Sequence, residues 1–268
     1  MSIEILSKEL AETMEKSEID YMVDRMKAIR ERLSNPMGIE IMKFGGATAL
    51  YSKEMPWPQF NTVKGISINE LNLLDEVIDF YESKDSQLQF ELVPSKANKE
   101  LMKALHDRGF YQSGFHATLY GQSEYIRTYN ESITIRELEE DEIHLYAEIH
   151  CLGTGLSVSG KGFVADNNIV LFNRKGWKFF VGFVNGIPAG VGVMYMNDGI
   201  ASLTFATTLN EYRNNGVQRA LLERRISEAA SNKCDLVIGQ TSYASTSFRN
   251  MERTGMKLGY TRATWVKG

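Results

Sequence analysis

Three apolar runs, residues 179–184, 187–196 and 200–208, are separated only by Asn185-Gly186 and by Asn197-Asp198-Gly199. Asn-Gly and Asp-Gly are what tight hairpins demand, because the turn needs positive φ. The segment is therefore expected to fold as an antiparallel meander. In the third run Ala201, Leu203, Phe205 and Thr207 fall on one face, as a strand's period of two requires. A polar bend, Asn210-Glu211-Tyr212, follows, and then the loop Arg213-Asn214-Asn215-Gly216-Val217-Gln218 opens a run of good helix formers. A strand that turns through Asn and Gly into a helix points unpaired backbone N–H groups at one spot, and the helix dipole favours an anion there, most often a phosphate. Gly216 lets the chain approach a ligand with no Cβ in the way. Around this centre the second half reads as a strand at 133–136, a helix near 141–151, an irregular stretch at 152–175 rich in Gly, Ser and Asn, the meander, the loop and its helix, a strand at 236–239, a helix ending at Gly255 and a strand through 260–265.

The first half has its own punctuation. Ser17-Glu18-Ile19-Asp20 resembles a capping box and opens a helix that ends near Asn35-Pro36. Residues 39–51 and 63–66 read as strands, with Gly45-Gly46 as a bulge or turn. Ser67-Ile68-Asn69-Glu70 is a second capping box, before a helix with Leu71, Leu74, Ile78 and Tyr81 on one side. A buried strand at 88–93, a helix from Pro94-Ser95 to Gly109 and a strand at 110–120 complete it, and 121–132 reads as a linker. A shift of 146 residues lays 88–94 on 234–240, Gly109-Phe110 on Gly255-Met256 and Ala117-Thr118 on Ala263-Thr264, without a gap. Such a match of punctuation and apolar pattern reads as an internal duplication. At the phosphate loop the shift lays Ser67-Ile68-Asn69-Glu70 on Arg213-Asn214-Asn215-Gly216. A carboxylate then stands where the second half has glycine, satisfying the helix N–H groups internally and repelling a phosphate. The expected division is a degenerate domain at 1–125 and a catalytic one at 130–268.

Arg213-x-x-Gly216, followed by Leu221-Leu222 after a strand, resembles the pyrophosphate loop of the GNAT acetyltransferases, Gln/Arg-x-x-Gly-x-Gly/Ala. Gln218 departs from the usual Gly or Ala, and its longer side chain would crowd the pyrophosphate or hydrogen-bond it. Ser247, Arg249, Asn250, Arg253 and Gly255-Met256, with Tyr260-Thr261-Arg262 and Trp265 behind them, resemble a GNAT variant ending Ser-x-Arg-Asn-x-x-Arg-x-Gly-Phe; Met256 replaces the Phe. The resemblance covers about residues 133–268. With the internal duplication it implies two α/β domains of α+β type, each a mixed, mostly antiparallel sheet flanked by helices. It implies acetyl-CoA as cosubstrate, its pantetheine arm on the main chain of Ala206, Thr207 and Thr208. The loop Arg213, Asn214, Asn215, Gly216, Val217, Gln218 and Arg219 would hold the pyrophosphate. Ser247 and Asn250 would meet the pantetheine, though Asn250 equally suits a helix-to-strand tie.

Many members of that family carry a tyrosine, four residues before the helix-ending glycine, that protonates the leaving thiolate. Met251 stands there and cannot donate a proton. Tyr243 and Tyr260 are candidates for the role; both also suit core or rim aromatics. An amine must be neutral to attack a thioester, and a free lysine has a pKa of about 10.4, so a base or a water chain helps. Glu148 and His150, before the irregular stretch, are candidates for it, and both also suit a solvated helix face. The two cysteines, Cys151 and Cys234, make no metal or redox motif, and no metal is implied.

The 268 residues carry a net charge of −4, which gives no footing for general nucleic-acid binding. No apolar run approaches a membrane span and the N-terminus is not read as a signal peptide, so a cytoplasmic protein is expected. The reading is an acetyl-CoA-dependent N-acetyltransferase that passes acetyl directly to a primary amine on a small molecule or peptide, with a homodimer compatible. Its rivals are a non-catalytic acyl-CoA sensor or assembly module, and a transferase for longer acyl chains.

Overall fold

The computed structural model describes residues 5–126 and 130–268. They fall into two compact units, one of Leu119–Lys257 and the other of the residues up to Thr118 with Leu258–Gly268. Part of the stretch read as a linker, residues 127–129, lies outside the described residues.

The unit of the second half contains β6 (Ile133–Glu137), α4 (Ile143–Thr154), α5 (Lys161–Phe172), β7 (Trp177–Val184), β8 (Ile187–Asn197), β9 (Ile200–Thr208), α6 (Val217–Ser231), β10 (Leu236–Thr241) and α7 (Thr246–Arg253). Its sheet runs β10-β9-β8-β7-β6; β9 and β10 are parallel and the other pairs antiparallel. The meander turns as the sequence requires, with Asn185 and Gly186 at φ 49° and 80° and Asp198 and Gly199 at 49° and 75°. Helix α6 presses on β7 and β8, where the strands offer glycine. A Cβ at Gly182 or Gly190 would come within 3.2 or 3.0 Å of the Val217 side chain, so α6 sits where only a bare backbone admits it. One expectation fails here: 152–175 is not irregular, since α5 fills half of it. Gly162, Asn167 and Asn168 are poor helix formers, and tertiary contacts override their propensity. Asn168, for instance, is buried and donates to the Val164 carbonyl at 2.8 Å.

The other unit contains α1 (Lys8–Arg30), β1 (Glu40–Phe44), β2 (Ala47–Tyr51), β3 (Thr62–Lys64), α2 (Leu74–Glu82), β4 (Gln89–Leu92), α3 (Lys99–Asp107), β5 (Phe110–Gln122, the residues from Leu119 belonging to the second-half unit) and β11 (Lys257–Lys267). Its strand order is β1-β2-β3-β4-β11-β5, and β3–β4 is the parallel pair that answers β9–β10. Its apolar core gathers β2–β4 and both shorter helices around Tyr81, whose hydroxyl lies 2.7 and 3.2 Å from the Leu50 and Thr62 carbonyls. Helix α1 starts at Lys8 under an Ser7 cap, so Ser17-Glu18-Ile19-Asp20 is mid-helix, with Ser17 and Glu18 buried.

The division expected between 125 and 130 is corrected at both ends: the second-half unit begins at Leu119 and ends at Lys257. β11, from Leu258 onward, belongs with the first half. It pairs antiparallel with β4, Ala263 opposite Leu92 and Trp265 opposite Phe90, and its Arg262 enters a buried ionic cluster with Glu18 and Glu91.

Candidate functional site

The site starts from a defect in β9. Its pairing with β8 shifts register between Val193 and Tyr195. Val193 faces Phe205 but Tyr195 faces Ser202, so Leu203 and Thr204 together oppose Met194. Such a bulge bends its strand and re-aims side chains. The parallel pairing with β10 stops at the same level, Leu203 opposite Gly239. Beyond it β9 and β10 diverge, and a cavity of about 220 Å³ opens between them, walled by α6 and α7. A wider cleft of about 650 Å³ leads from it to the loop before α6. Ala206, Gln218, Ser247 and Asn250 line both.

The loop before α6 turns through left-handed backbone. Asn214 and Gly216 adopt left-handed backbone at φ 65° and 89°, which swings the chain into α6 with Gly216 as N-cap. No side chain caps the helix, and its first residues, Val217, Gln218 and Arg219, line the cleft. A Cβ at Gly216 would meet only Ile133, at 3.5 Å, so the left-handed backbone rather than crowding calls for glycine. The Arg213 guanidinium donates to the Gly153 carbonyl at 3.3 Å. Of the expected cosubstrate contacts, Ala206, Thr207, Thr208, Arg213, Asn214, Gly216, Val217, Gln218, Arg219, Ser247 and Asn250 all line the cleft; Asn215 does not. Gln218 lines the cleft with its side chain engaged to α7. Its amide donates to the Ser247 hydroxyl at 2.5 Å, tying α6 to α7. Ser245 caps α7 at Phe248, and Asn250 accepts from Arg253 at 3.2 Å.

The matching place in the other unit is closed. Ser67 and Glu70 form a full capping box on the short helical turn before α2. The Glu70 carboxylate accepts N–H groups from Ser67 at 2.9 Å and Gly46 at 3.0 Å. Burial raises its pKa, but these bonds outweigh burial and hold the carboxyl below its ordinary range. Glu70 is the third residue of its turn, whereas Gly216 is an N-cap. The two helix starts correspond, but the two residues do not superimpose one on one.

The expected acid and base candidates stand apart from the cavities. Glu148 pairs with Lys161 at 3.0 Å. Tyr243 is 59% exposed and packs edge-on to Phe248. Tyr260 is buried in β11, in the other unit, where burial pushes its hydroxyl pKa far up. None of the three lines either cavity. His150 stacks on Phe205 of the bulge with centroids 4.2 Å apart, and its Nδ1 lies 3.2 Å from the Tyr146 hydroxyl.

Two lining residues were legible only in part. Met251 was recognised as the tyrosine position, and it is buried with its Cε 2.9 Å from where a Gly239 Cβ would stand. Met251→Ala is expected to destabilise the protein by about 2–4 kcal/mol, since it empties a packed site. Turnover should change only a few-fold; a large drop in kcat at unchanged melting would assign Met251 a role in the chemistry. Arg225 was missed. The signal was an arginine at the i+4 and i+8 positions from Leu221 and Val217, on the apolar stripe of α6.

Among the described residues, no cluster of His, Cys, Asp and Glu could hold a metal ion, and no helix is long and apolar enough to cross a membrane. Comparison with family profiles gives no match, and neither does comparison with curated protein sequences. Solved structures do match. A GCN5-related N-acetyltransferase from Kribbella flavida superposes with a TM-score of 0.70 at 14% identity, over 96% of this chain and 95% of that one. One from Sphaerobacter thermophilus gives 0.61 at 12% identity, over 84% and 82%. A tandem GNAT protein from the clavulanic acid biosynthesis pathway gives 0.55 at 11%, over 73% and 68%.

Proposed function

We propose that this chain, which has the tandem fold of the GCN5-related N-acetyltransferases, is an acetyl-CoA-dependent N-acetyltransferase whose active site lies in the unit of its second half. The observation that carries the reading is the uncapped start of α6 at the mouth of a cleft that ends at a bulged strand. A pyrophosphate suits the cradle at Asn214–Gly216, because free N–H groups and the helix dipole both favour an anion. A pantetheine arm suits the gap where β9 has lost β10 as a partner, since β9 can there bond an extended ligand as it would a strand. Acetyl-CoA would supply an activated acyl group. The chain's part is to hold the thioester at Phe205 and Ala206, to polarise its carbonyl with main-chain N–H groups, and to admit an amine. His150, on α4, stacks on Phe205, a cavity-lining residue, and would accept the amine's proton, directly or through water.

The acceptor is proposed only as a primary amine. Met251 favours one competing reading, a non-catalytic acyl-CoA sensor, because it removes the family's usual acid. Coenzyme A release measured with acetyl-CoA and a panel of polyamines, aminoglycosides and peptide amines separates the two. Turnover with any of them supports the enzyme; tight acetyl-CoA binding with none supports the sensor. A calorimetric titration with acetyl-CoA is expected to give one site per chain. The Glu70 capping box consumes the N–H groups that a second phosphate would need and sets a negative charge beside them. Two equivalent sites by calorimetry would overturn that assignment.

A further inference from the structure

The 220 Å³ cavity has a cation in its wall. Arg225 of α6 is 3% exposed and lines the cavity beside Thr204, Phe205 and Met251. Its Nε donates to the Leu221 carbonyl at 3.0 Å, and its Nη1 to the carbonyls of Val193 and Phe205, both at 3.1 Å. These last two carbonyls belong to the register shift, so the guanidinium also fixes the bulge. Gly192 makes room for it; a Cβ there would stand 3.1 Å from Nε. Three bonds fix the guanidinium plane and leave Nη2 over, and no ion pair among the described residues involves Arg225. Buried arginines are ordinarily paired with carboxylates, because a lone charge in a low dielectric is costly. Desolvation pulls this one down to about 10, so it is still a cation at neutral pH. A buried, oriented, unpaired positive charge is complementary to a negative charge that develops in the cavity.

We propose that Arg225 stabilises the coenzyme A thiolate as it leaves, supplying by charge what Met251 cannot supply as an acid. This rests on the acetyl-CoA reading above. The amine lone pair forms the C–N bond, the C–S bond breaks, and its electron pair stays on sulfur. The proton lost by the amine goes to His150 or water. Arg225 gains and loses no proton; it lowers the energy of the thiolate until water protonates it on release. Arg225 lines the same cavity as Phe205 and Ala206, where the thioester of the reading above would lie.

The test compares coenzyme A with desulfo-coenzyme A, which lacks the thiol. Calorimetry at neutral pH in two buffers of different ionisation enthalpy counts the protons released on binding, and the ultraviolet absorbance of thiolate reports the same event. The wild-type protein is expected to release protons with coenzyme A and none with the desulfo compound. Arg225→Met should abolish the release, leave desulfo-coenzyme A affinity within about threefold, and lower kcat on the order of 10²-fold. Arg225→Lys, which keeps the charge, should restore part of the release, and melting curves verify that both variants fold. Binding of coenzyme A to the wild type without proton release would overturn the role of Arg225 while leaving the acetyl-CoA site standing. An equal loss of affinity for both compounds in Arg225→Met would reduce Arg225 to a support for the bulge. Failure of the wild type to bind either compound would instead remove the acetyl-CoA reading itself.

Discussion

Gly216→Glu is expected to abolish acetyl-CoA binding while the fold survives. Two effects act at that position and can be separated. The backbone there is left-handed, at φ 89°, so any side chain carries strain of roughly 1–2 kcal/mol. Space is not the obstacle, since a Cβ would touch only Ile133. Gly216→Ala therefore reports the strain alone. It should lower stability by about 1 kcal/mol and weaken acetyl-CoA only modestly. The glutamate adds a negative charge at the mouth of the helix, beside N–H groups that no side chain caps. One carboxylate within about 4 Å of a phosphate costs on the order of 1–4 kcal/mol per charge at effective dielectrics between about 80 and 20. A pyrophosphate carries more than one charge, and the carboxylate also competes for the same donors. Calorimetry should show no binding for the glutamate variant at concentrations that saturate the alanine variant. Equal affinity in the two would remove the loop from the site.

The turns and the second capping box were readable because their chemistry is local. Asn185-Gly186 and Asp198-Gly199 need only their own φ values, and the structure gives them. Ser67 and Glu70 form their capping box from residues three apart. The start of α1 shows the limit of that logic. Ser17 and Asp20 have the spacing of a cap, but Ser7 does the capping and Glu18 turns inward. What draws Glu18 inward is Arg262, a partner 244 residues away, which no local pattern reports. The destination of β11 was hidden for the same reason. Its pattern reads as a strand of the second half, and only pairing with β4 shows where it goes. Arg225 lay in plain view on an apolar stripe, but its meaning depends on two carbonyls freed by a bulge on neighbouring strands.

Arg262→Met is expected to cost about 3–5 kcal/mol of stability, the price of leaving a buried charge without its partner. Glu18, Lys64, Glu91 and Arg262 are all buried, on α1, β3, β4 and β11. Arg262 bonds both oxygens of Glu18, at 2.7 and 2.6 Å, and reaches Glu91 at 3.0 Å, while Lys64 contacts both carboxylates. Two positive and two negative charges balance, so removing one leaves a net charge in the core. Glu18→Met with Arg262→Met should therefore cost less than the sum of the single changes, because the pair leaves together. Acid should act on the same cluster. Burial opposes the Glu18 charge, but Arg262 and Lys64 outweigh it and hold the carboxyl at about 2, against an ordinary value of 4.5. Its contribution, on the order of 3 kcal/mol, is complete above about pH 4.5 and is lost as the pH falls from there towards 2. His116 adds the same sign at higher pH. Burial first, then the neighbouring Arg262, lowers it from 6.5 to about 4, so its share is lost between those values. Denaturant unfolding from pH 7 to 3 should show stability falling in both ranges for the wild type. In Arg262→Met the lower range should flatten, because Glu18 no longer has its main partner. A variant within about 1 kcal/mol of wild type, with an unchanged acid profile, would mean that water or a rearranged core satisfies these charges, and that β11 is held by its strand pairing alone.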